Sequence, residues 1–259
     1  MDTAIKWIMH EAETAFRLGN YQAAVSGIKT AFDKDPTFLK AEASQFVASF
    51  PFSNRNLYWK APPTLFSDRN NVAATFTTIY DKAMWGGGSG AGSDLRNTVL
   101  YIAYLQHFIE RYNIGSIVDL GCGDWRFSKY LRLGTCSYLG LDVVPSVIET
   151  NQRTYGTGAV RFEVGDATRF DIPPCDLLLS KDVMQHLSSA NVSAILSRLP
   201  AAKHALITND YHPANDDCSN GDTRPLDISG PPFNVAATPR LAFHGKVTFL
   251  AGAASGGAI

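Results

Sequence analysis

The sequence predicts an α/β fold built on a mostly parallel sheet, and three observations lead to this prediction. Residues 116–142 read as strand, glycine turn, helix and strand, and an acid follows the second apolar run. Further short apolar runs, each ending in polar residues, follow between positions 160 and 210. The two glycines of the first turn, Gly121 and Gly123, are typical of a connection that lets the backbone approach a bound nucleotide closely.

The first unit can be read element by element. Residues 117–120 form a short apolar run, residues 125–133 can form a helix whose N-terminus faces a ligand, and residues 138–141 form the second run. Asp142 follows that run, where a carboxylate can accept hydrogen bonds from both ribose hydroxyls. The spacing from Asp119 to Asp142 fits one strand–helix–strand unit.

The turn itself favours a nucleoside with a cationic group over a dinucleotide. Residues 121–126 contain no third glycine, which dinucleotide enzymes use for close helix packing beside a pyrophosphate. Asp119, two residues before the first glycine, would repel a diphosphate and suits an amino-acid cation. The motif therefore resembles the D-x-G-x-G of class I S-adenosylmethionine (SAM)-dependent methyltransferases, with Trp125 in place of their usual third glycine.

This resemblance implies SAM as the cofactor and a Rossmann-like sheet, mostly parallel with the last strand antiparallel, with helices on both faces. Residues 160–167 look like the third strand and its acidic turn, in which the family's acid, here Asp166, accepts a hydrogen bond from the adenine amino group. Residues 175–187 resemble the fourth strand and the substrate-facing loop. Residues 205–210 read as the fifth strand, and 241–250 as the last.

A glycine-rich loop precedes the first strand. Residues 80–93 combine Tyr80 and Trp85 with a run of glycines, and such loops let backbone N–H groups converge on an anion, here the methionine carboxylate of SAM. An amphipathic helix is predicted over 97–111. The expected cofactor-binding residues are Trp85, Gly88, Ser89, Gly90, Asp119, Gly121, Gly123, Asp142, Val143, Asp166, Ala167 and Lys181.

Together, the glycine loop, the turn after the first strand and the K-D-V-M-Q-H segment resemble one methyltransferase group over residues 78–212. That group occurs in bacteria and large viruses, and some of its members are tied to glycan methylation. The resemblance implies O-methylation of a sugar, a glycan or another small hydroxylated molecule.

His186 is the preferred general base, because it lies just past the fourth strand and titrates near neutrality. The alternative is that it caps or packs the following helix. Asp182, one predicted helical turn earlier, would orient His186 or bind substrate. Asp182, Asn209 and Asp210 also resemble, faintly, the ligand set of magnesium-dependent O-methyltransferases, although no metal is assigned.

Residues 211–235 are predicted to be a long polar loop that faces the substrate, either as a lid or as a surface excursion. The expected substrate contacts are Asn209, Asp210 and His212 at the end of the fifth strand, and Arg224 in this loop. Arg224 would anchor an anionic or sugar-bearing substrate, or else would simply be solvated.

The first 50 residues are of a different kind. Residues 1–50 resemble one tetratricopeptide helix pair, closed by Pro36, with a third helix over 37–50. One repeat cannot bury its own faces, so these helices should pack on the catalytic region, on a second copy in a homodimer, or on a partner. Residues 51–77 are expected to be a linker, and 78–259 the SAM-dependent methyltransferase domain.

Composition narrows the function classes. The chain has 259 residues, 45% hydrophobic and 18% charged, and a net charge of −1, which argues against nucleic-acid binding. Four scattered cysteines, and the lack of a signal or an apolar membrane span, suggest a cytoplasmic protein. Two other interpretations stay open: a non-catalytic SAM-binding adaptor that uses its N-terminal helices, and a nicotinamide-dependent oxidoreductase.

Overall fold

The computed structural model of the protein describes residues 3–37, 39–48 and 59–252. Seven strands form its centre: β1 (Ser116–Leu120), β2 (Ser137–Asp142), β3 (Val160–Val164), β4 (Cys175–Lys181), β5 (Ala202–Asp210), β6 (Ala237–Phe243) and β7 (Lys246–Ala251). The helices are α1 (Thr3–Arg17), α2 (Tyr21–Lys34), α3 (Lys40–Ala48), α4 (Val72–Asp81), α5 (Leu95–Arg111), α6 (Pro145–Tyr155) and α7 (Ser189–Leu196).

The strands form a single sheet in the order β3-β2-β1-β4-β5-β7-β6. The first five strands pair in parallel, and β7 runs antiparallel to both of its neighbours, β5 and β6. The predicted fold class is therefore confirmed: a Rossmann-like, mostly parallel sheet whose last strand is antiparallel. Because the carboxyl ends of parallel strands share one edge, the residues after β1, β2, β3, β4 and β5 meet there.

Both faces of the sheet are covered by helices, as the apolar alternation of its strands requires. On β4, Leu177 and Leu179 pack in one cluster with α1, α2 and α5, whereas Leu178 packs in the other with α4 and α7. All three leucines are almost completely buried. The sheet is thus a central layer between two apolar cores, which fixes the positions of its strand ends.

Of the N-terminal helices, α2 packs on α5 and α3 packs on β6. Phe32 of α2 lies edge-on to Tyr104 of α5 with ring centroids 5.4 Å apart, and Lys29 of α2 pairs with Glu110 at 2.6 Å. His107 Nδ1 lies 2.8 Å from an Asp33 oxygen in the same interface. Within the described ranges, no helix combines the length and apolar character that crossing a bilayer would require.

The predicted helix over residues 125–133 is wrong. The segment contains only a single 3₁₀ turn, Ser128–Tyr130, and Trp125 adopts φ +53°, a left-handed conformation that cannot start an α-helix. The Trp125 ring is instead inserted between Tyr155 and Phe162, with centroids 5.0 and 5.3 Å away. No helix N-terminus therefore faces the ligand edge at this point.

The predicted single strand over 241–250 is also wrong, since the segment is a hairpin. Strands β6 and β7 are joined by His244 and Gly245, which have φ +49° and +78°. Two successive positive φ values are typical of the tight turn that suits the twist of paired strands. As a result, β7 begins at the ligand edge of the sheet, where Lys246 pairs with Asp210.

Three predicted segments differ in extent from what the structure describes. The predicted third helix over 37–50 is the shorter α3, and residues 49–50 of that prediction lie outside the described residues. Much of the expected linker, 51–58, also lies outside them, and α4 begins within its remaining part. The helix predicted over 97–111 is confirmed as α5, which starts two residues earlier.

The loop over 211–235 contains no helix or strand, as predicted, but it is not a surface excursion. Tyr211, Leu226 and Ile228 are almost fully buried in the apolar core on the α4 and α7 side. The loop also forms an isolated antiparallel bridge between Thr223 and Trp59. It is therefore a packed part of the domain rather than a solvated flap.

Candidate functional site

A cavity of about 360 Å³ lies at the carboxyl edge of the sheet, within the size range of small-molecule sites. It is lined by most of the residues that the sequence indicates: Trp85, Ser89, Gly90, Asp119, Gly121, Gly123, Asp142, Val143, Asp166, Ala167, Lys181, Asp182, His186 and Asp210. Four predicted residues do not line it: Gly88, Asn209, His212 and Arg224. Gln185, Thr223 and Lys246 also line the cavity and were missed by sequence reasoning, as does Tyr80, which was noted in the glycine-rich loop but given no site role.

Asp142 is fixed at the end of β2 by the backbone around it. Its two carboxylate oxygens accept hydrogen bonds from Gly123 N at 3.1 Å and Val144 N at 3.0 Å. Burial raises the pKa of Asp142 to about 6, although these N–H groups act in the opposite direction. The carboxylate is thus oriented and poorly solvated, which leaves it well placed to accept ligand hydroxyls.

Asp119, on β1, has a similar environment. It is 4% exposed, and its Oδ2 accepts a hydrogen bond from the Tyr138 hydroxyl at 2.5 Å. Burial raises the pKa of Asp119 to about 6, and the nearby Asp142 carboxylate adds to the rise. Two buried carboxylates side by side favour a ligand that brings hydrogen-bond donors or positive charge.

We expect Asp119→Asn to stabilise the ligand-free protein at neutral pH. Folding raises the pKa of this group above its ordinary value of 3.8, so the ionised wild-type carboxylate is disfavoured once the pH exceeds about 6. The free energy of unfolding of the variant should exceed that of the wild type by on the order of 2–3 kcal/mol at pH 7.5. The gap should close as the pH falls from about 6 towards 4, measured by denaturant unfolding. A gap independent of pH would contradict this reading.

Asp166 ends the turn after β3. Its Oδ1 accepts hydrogen bonds from the backbone N and hydroxyl of Thr168, at 2.9 and 2.7 Å, and its Oδ2 pairs with Arg169 at 3.0 Å. Asp166 lines the cavity on the β3 side. In the sheet order, β3 lies on the opposite side of β1 from β4 and β5. These hydrogen bonds fix the turn, so that the Asp166 carboxylate lines the β3 side of the cavity.

The glycine-rich loop is fastened to the turn after β1. Ser89 Oγ accepts from Asp124 N at 2.9 Å and lies 2.9 Å from the Tyr80 hydroxyl, while Ser89 N donates to the Asp124 carboxylate at 3.3 Å. Arg126 pairs with Asp124 and Asp94, both at 2.8 Å. Tyr80, Asp124 and Arg126 therefore act as the clasp that holds the loop over the cavity.

The glycines of the first turn are required by protein contacts as well. A Cβ at Gly123 would lie 2.1 Å from Ser89 Oγ, and one at Gly121 would lie 2.4 Å from Val183 Cγ2. Both residues also have positive φ. Gly88, which does not line the cavity, packs against Asp124, since a Cβ there would lie 2.2 Å from its Oδ2. The sequence-based reason, approach to a cofactor, is therefore incomplete.

A charged cluster lies at the ends of β4, β5 and the start of β7. Lys181 Nζ contacts Asp182 Oδ2 at 2.5 Å, and Lys246 Nζ bridges Asp182 and Asp210, each at 2.8 Å. Burial acts to raise the pKa of Asp182, but the two lysines outweigh it and lower the pKa to about 2. We define this group of two ammoniums and two carboxylates as the charged cluster.

The charged cluster also alters two predictions. Residue Asp182 has φ +58° and precedes a 3₁₀ turn, so it is not one helical turn from His186 on a common helix face. Its partners are lysines, which makes it a cluster member rather than the group that orients His186. The resemblance of Asp182, Asn209 and Asp210 to a magnesium ligand set is also affected. The Lys246 ammonium occupies the space between Asp182 and Asp210 that a bridging cation would need. The described residues contain no group of three or more His, Cys, Asp or Glu suited to a metal.

His186 is 9% exposed and lies against the Trp85 ring, with centroids 4.9 Å apart. Its Nδ1 is 3.0 Å from the Asp222 carbonyl and 3.1 Å from Thr223 Oγ1. A carbonyl only accepts, so Nδ1 carries the proton and Nε2 keeps its lone pair. Burial lowers the pKa of His186, although the Asp222 carbonyl and the nearby carboxylates oppose this, so the ring is neutral at neutral pH.

The predicted substrate residues outside the cavity have structural contacts. Asn209 Oδ1 accepts from Gln185 N at 3.2 Å, and His212 Nδ1 accepts from Ala214 N at 3.0 Å. The prediction for Arg224 does not fit the structure: the side chain is 0% exposed and donates to Leu187 O at 3.1 Å. Arg224 cannot reach a ligand in the cavity because the loop that carries it is packed into the domain.

Residues 117–202 match the family model described as a methyltransferase domain. Over these residues the chain is similar to methyltransferase domains. The match begins in β1 and ends at the first residue of β5, so it includes Asp119, Asp142, Asp166 and His186. A comparison of the sequence with curated proteins gives no match.

Solved structures with a similar fold include methyltransferase domains. The methyltransferase domain of bacterial CtHen1 is 15% identical, with a TM-score of 0.37 over 44% of this chain and 66% of that chain. A protein from Pyrococcus horikoshii is 14% identical, with a TM-score of 0.45 over 60% and 91%. An O-methyltransferase family protein from Burkholderia thailandensis is 12% identical, with a TM-score of 0.44 over 63% and 61%. This chain spans just under two-thirds of the CtHen1 domain.

Proposed function

We propose that this protein is a SAM-dependent methyltransferase that methylates a hydroxyl group, with His186 as the general base. The observation that carries the proposal is the state of the His186 ring. Its Nδ1 proton is engaged by the Asp222 carbonyl, so Nε2 carries a lone pair; this lone pair faces the Gln185 amide at 3.5 Å and would accept a substrate proton in the same cavity as Asp119 and Asp142. The position of His186 in the cavity lining, with the Asp182 and Asp210 carboxylates near its ring, favours a functional role over a merely structural one.

The residues of the cavity fit SAM. In this proposal Asp166 on the β3 side would accept from the adenine amino group, Asp142 after β2 from the ribose hydroxyls, and Asp119 on β1 from the amino-acid cation, which follows the strand order β3-β2-β1. The raised pKa values of Asp119 and Asp142, caused first by burial, describe carboxylates that are poorly solvated in the ligand-free protein. When bound, SAM supplies a methyl group on a sulfonium, which reacts by in-line displacement.

The chain contributes positioning and proton transfer. Trp85 and the clasped glycine loop line the cavity on the His186 side, where they would help to exclude water from the reacting groups. The charged cluster borders the same space, and its carboxylates and ammoniums can hold an acceptor by several hydrogen bonds. His186 Nε2 then takes the hydroxyl proton as the carbon–oxygen bond forms, and such general base catalysis contributes about 10²–10⁴-fold.

The acceptor that we propose is a sugar, a glycan or another small hydroxylated molecule. Two features support this class. The charged cluster has two positive and two negative members and so is neutral overall, which suits an uncharged polyhydroxylated acceptor. The sequence resemblance of residues 78–212 to a methyltransferase group with glycan-methylating members points in the same direction.

Titration of the purified protein with SAM, S-adenosylhomocysteine (SAH) and NAD tests the cofactor assignment. We expect calorimetric binding of SAM and SAH, and no binding of NAD under the same conditions. Release of SAH should then be screened with hydroxylated acceptors, including mono- and oligosaccharides, against amine and thiol acceptors. Binding of NAD alone would support the oxidoreductase alternative, and SAM binding without transfer to any acceptor would support the adaptor alternative.

A further inference from the structure

The 220–224 loop holds the segment that carries the proposed base. Gly221 N donates to His186 O at 2.8 Å, and Arg224 N donates at 3.0 Å to the carbonyl of the residue before His186. Between these two backbone bonds, the Asp222 carbonyl accepts from His186 Nδ1 at 3.0 Å. The loop therefore fixes both the backbone and the ring of His186.

A second contact supports the same ring state. Gln185 Oε1 accepts from Asp210 N at 2.8 Å, which turns the Gln185 amide nitrogen towards His186 Nε2, 3.5 Å away. An amide nitrogen can only donate, so it faces an Nε2 that carries a lone pair. The Asp222 carbonyl on one side and the Gln185 amide on the other thus favour the tautomer with the proton on Nδ1.

The Asp222 side chain is in turn held by Arg69. Its Oδ1 accepts from Arg69 Nη1 at 2.7 Å and from Ala61 N at 2.9 Å, and Arg69 Nη2 donates to Ala61 O at 2.7 Å. The guanidinium lies over the Phe66 ring, 4.8 Å from its centroid. Asp222 is only 4% exposed, so its negative charge needs this partner to be tolerated.

Further hydrogen bonds join the segment around Arg69 to the same loop. Trp59 and Thr223 exchange backbone hydrogen bonds of 3.0 and 2.8 Å. Asn220 Nδ2 donates to Arg69 O at 2.7 Å, and Asn220 Oδ1 accepts from Ser188 N at 2.9 Å, just past His186. Arg69 is thus connected, through one packed loop, to the backbone on both sides of the proposed base.

We propose that Arg69 is a positioning residue for His186: by holding the Asp222 carboxylate, it keeps the Asp222 carbonyl on Nδ1 and the Nε2 lone pair towards the substrate. Arg69 does not line the cavity, so it acts through Asp222 and contacts neither cofactor nor acceptor. The catalytic consequence rests on the proposed function of His186 as the base, whereas the effect on the ring tautomer does not.

Nitrogen-15 NMR of histidine-labelled protein tests the tautomer directly. The chain has six histidines, and the His186 signals can be assigned by their loss in His186→Asn. We expect the wild-type ring to carry its proton on Nδ1 at neutral pH, and Arg69→Met to shift His186 towards a mixture of tautomers. Arg69→Lys should restore part of the wild-type state. Arg132→Met, which breaks an exposed ion pair with Glu110, is the matched control and should leave the His186 signals unchanged.

Kinetics provide the second measurement. We expect Arg69→Met to lower kcat by about 10–100-fold, by analogy with the cost of losing a partner that orients a metal-binding histidine, with the Kd for SAM within about twofold of wild type. If Arg69→Met does not fold, Asp222→Asn keeps the shape of the pair, removes the charge and is expected to give the same two changes.

The outcomes separate this proposal from the proposed function. A wild-type ring protonated on Nε2 overturns the positioning role before any variant is made. An Arg69→Met variant with unchanged tautomer and kcat also overturns it, even if His186→Asn is inactive and the base assignment stands. Conversely, full turnover by His186→Asn removes the proposed base, while the tautomer of Arg69→Met still decides whether Arg69 positions the ring.

Discussion

Replacing His186 by Asn is expected to reduce methyl transfer by about 10²–10⁴-fold while the affinity for SAM stays within about twofold. The Asn amide nitrogen can take the place of Nδ1 and keep the hydrogen bond to the Asp222 carbonyl, whereas no group replaces Nε2. The variant therefore removes the proposed base with little change in packing. Single-turnover transfer to an acceptor selected by SAH release, together with calorimetric SAM binding, gives both quantities.

The pH dependence and a matched variant sharpen this test. Burial lowers the pKa of His186, so wild-type turnover at saturating SAM should be maintained down to pH values below the ordinary histidine pKa and fall only under that range. In His186→Asn, this acid limb should disappear. His107→Gln is the control, because His107 is also buried, at 5% exposed, but contacts Asp33 between α2 and α5. Wild-type turnover in His186→Asn would leave His186 as a packing residue.

The sheet and most of the cavity lining could be predicted because they depend on local patterns. Short apolar runs at or just before Asp119, Asp142 and Asp166 predict parallel strands that share one carboxyl edge. The cavity lies at this edge. The glycine loop was also recognisable from its composition. Each of these signals lies within a few neighbouring residues and can be recognised without the fold. The fold shows in addition that these segments meet at one cavity.

The features that escaped prediction depend on contacts between distant segments. Lys246 lies at the ligand edge because β7 runs antiparallel, and the His244-Gly245 turn was the signal for that hairpin. The absence of a helix after β1 follows from Trp125, whose ring is taken up by the core. Asp222 has no sequence signature, since it acts on His186 through its backbone carbonyl, and its partner Arg69 lies 153 residues earlier.

Asp142→Ala is expected to weaken SAM binding by about 1.5–3 kcal/mol, roughly 10–150-fold in Kd, the scale of hydrogen bonds to a charged group. The carboxylate lies at the end of β2, lines the cavity and is oriented by Gly123 N and Val144 N, so under the proposed function its oxygens would be preorganised for the ribose hydroxyls. Calorimetric titration with SAM and with SAH should show the same loss, because both carry the same ribose.

The chain offers a close control for this loss. Asp176→Ala also removes a carboxylate that accepts two backbone N–H groups, from Gly115 at 2.8 Å and Ser116 at 3.1 Å, but it does so at the amino end of β4, away from the cavity. If freed backbone donors alone disturb the fold, both variants should lose thermal stability, yet only Asp142→Ala should lose SAM affinity. Equal affinities in the two variants would show that Asp142 holds the turn after β1 rather than the ribose, and the position of the nucleoside on the sheet would have to be reassigned.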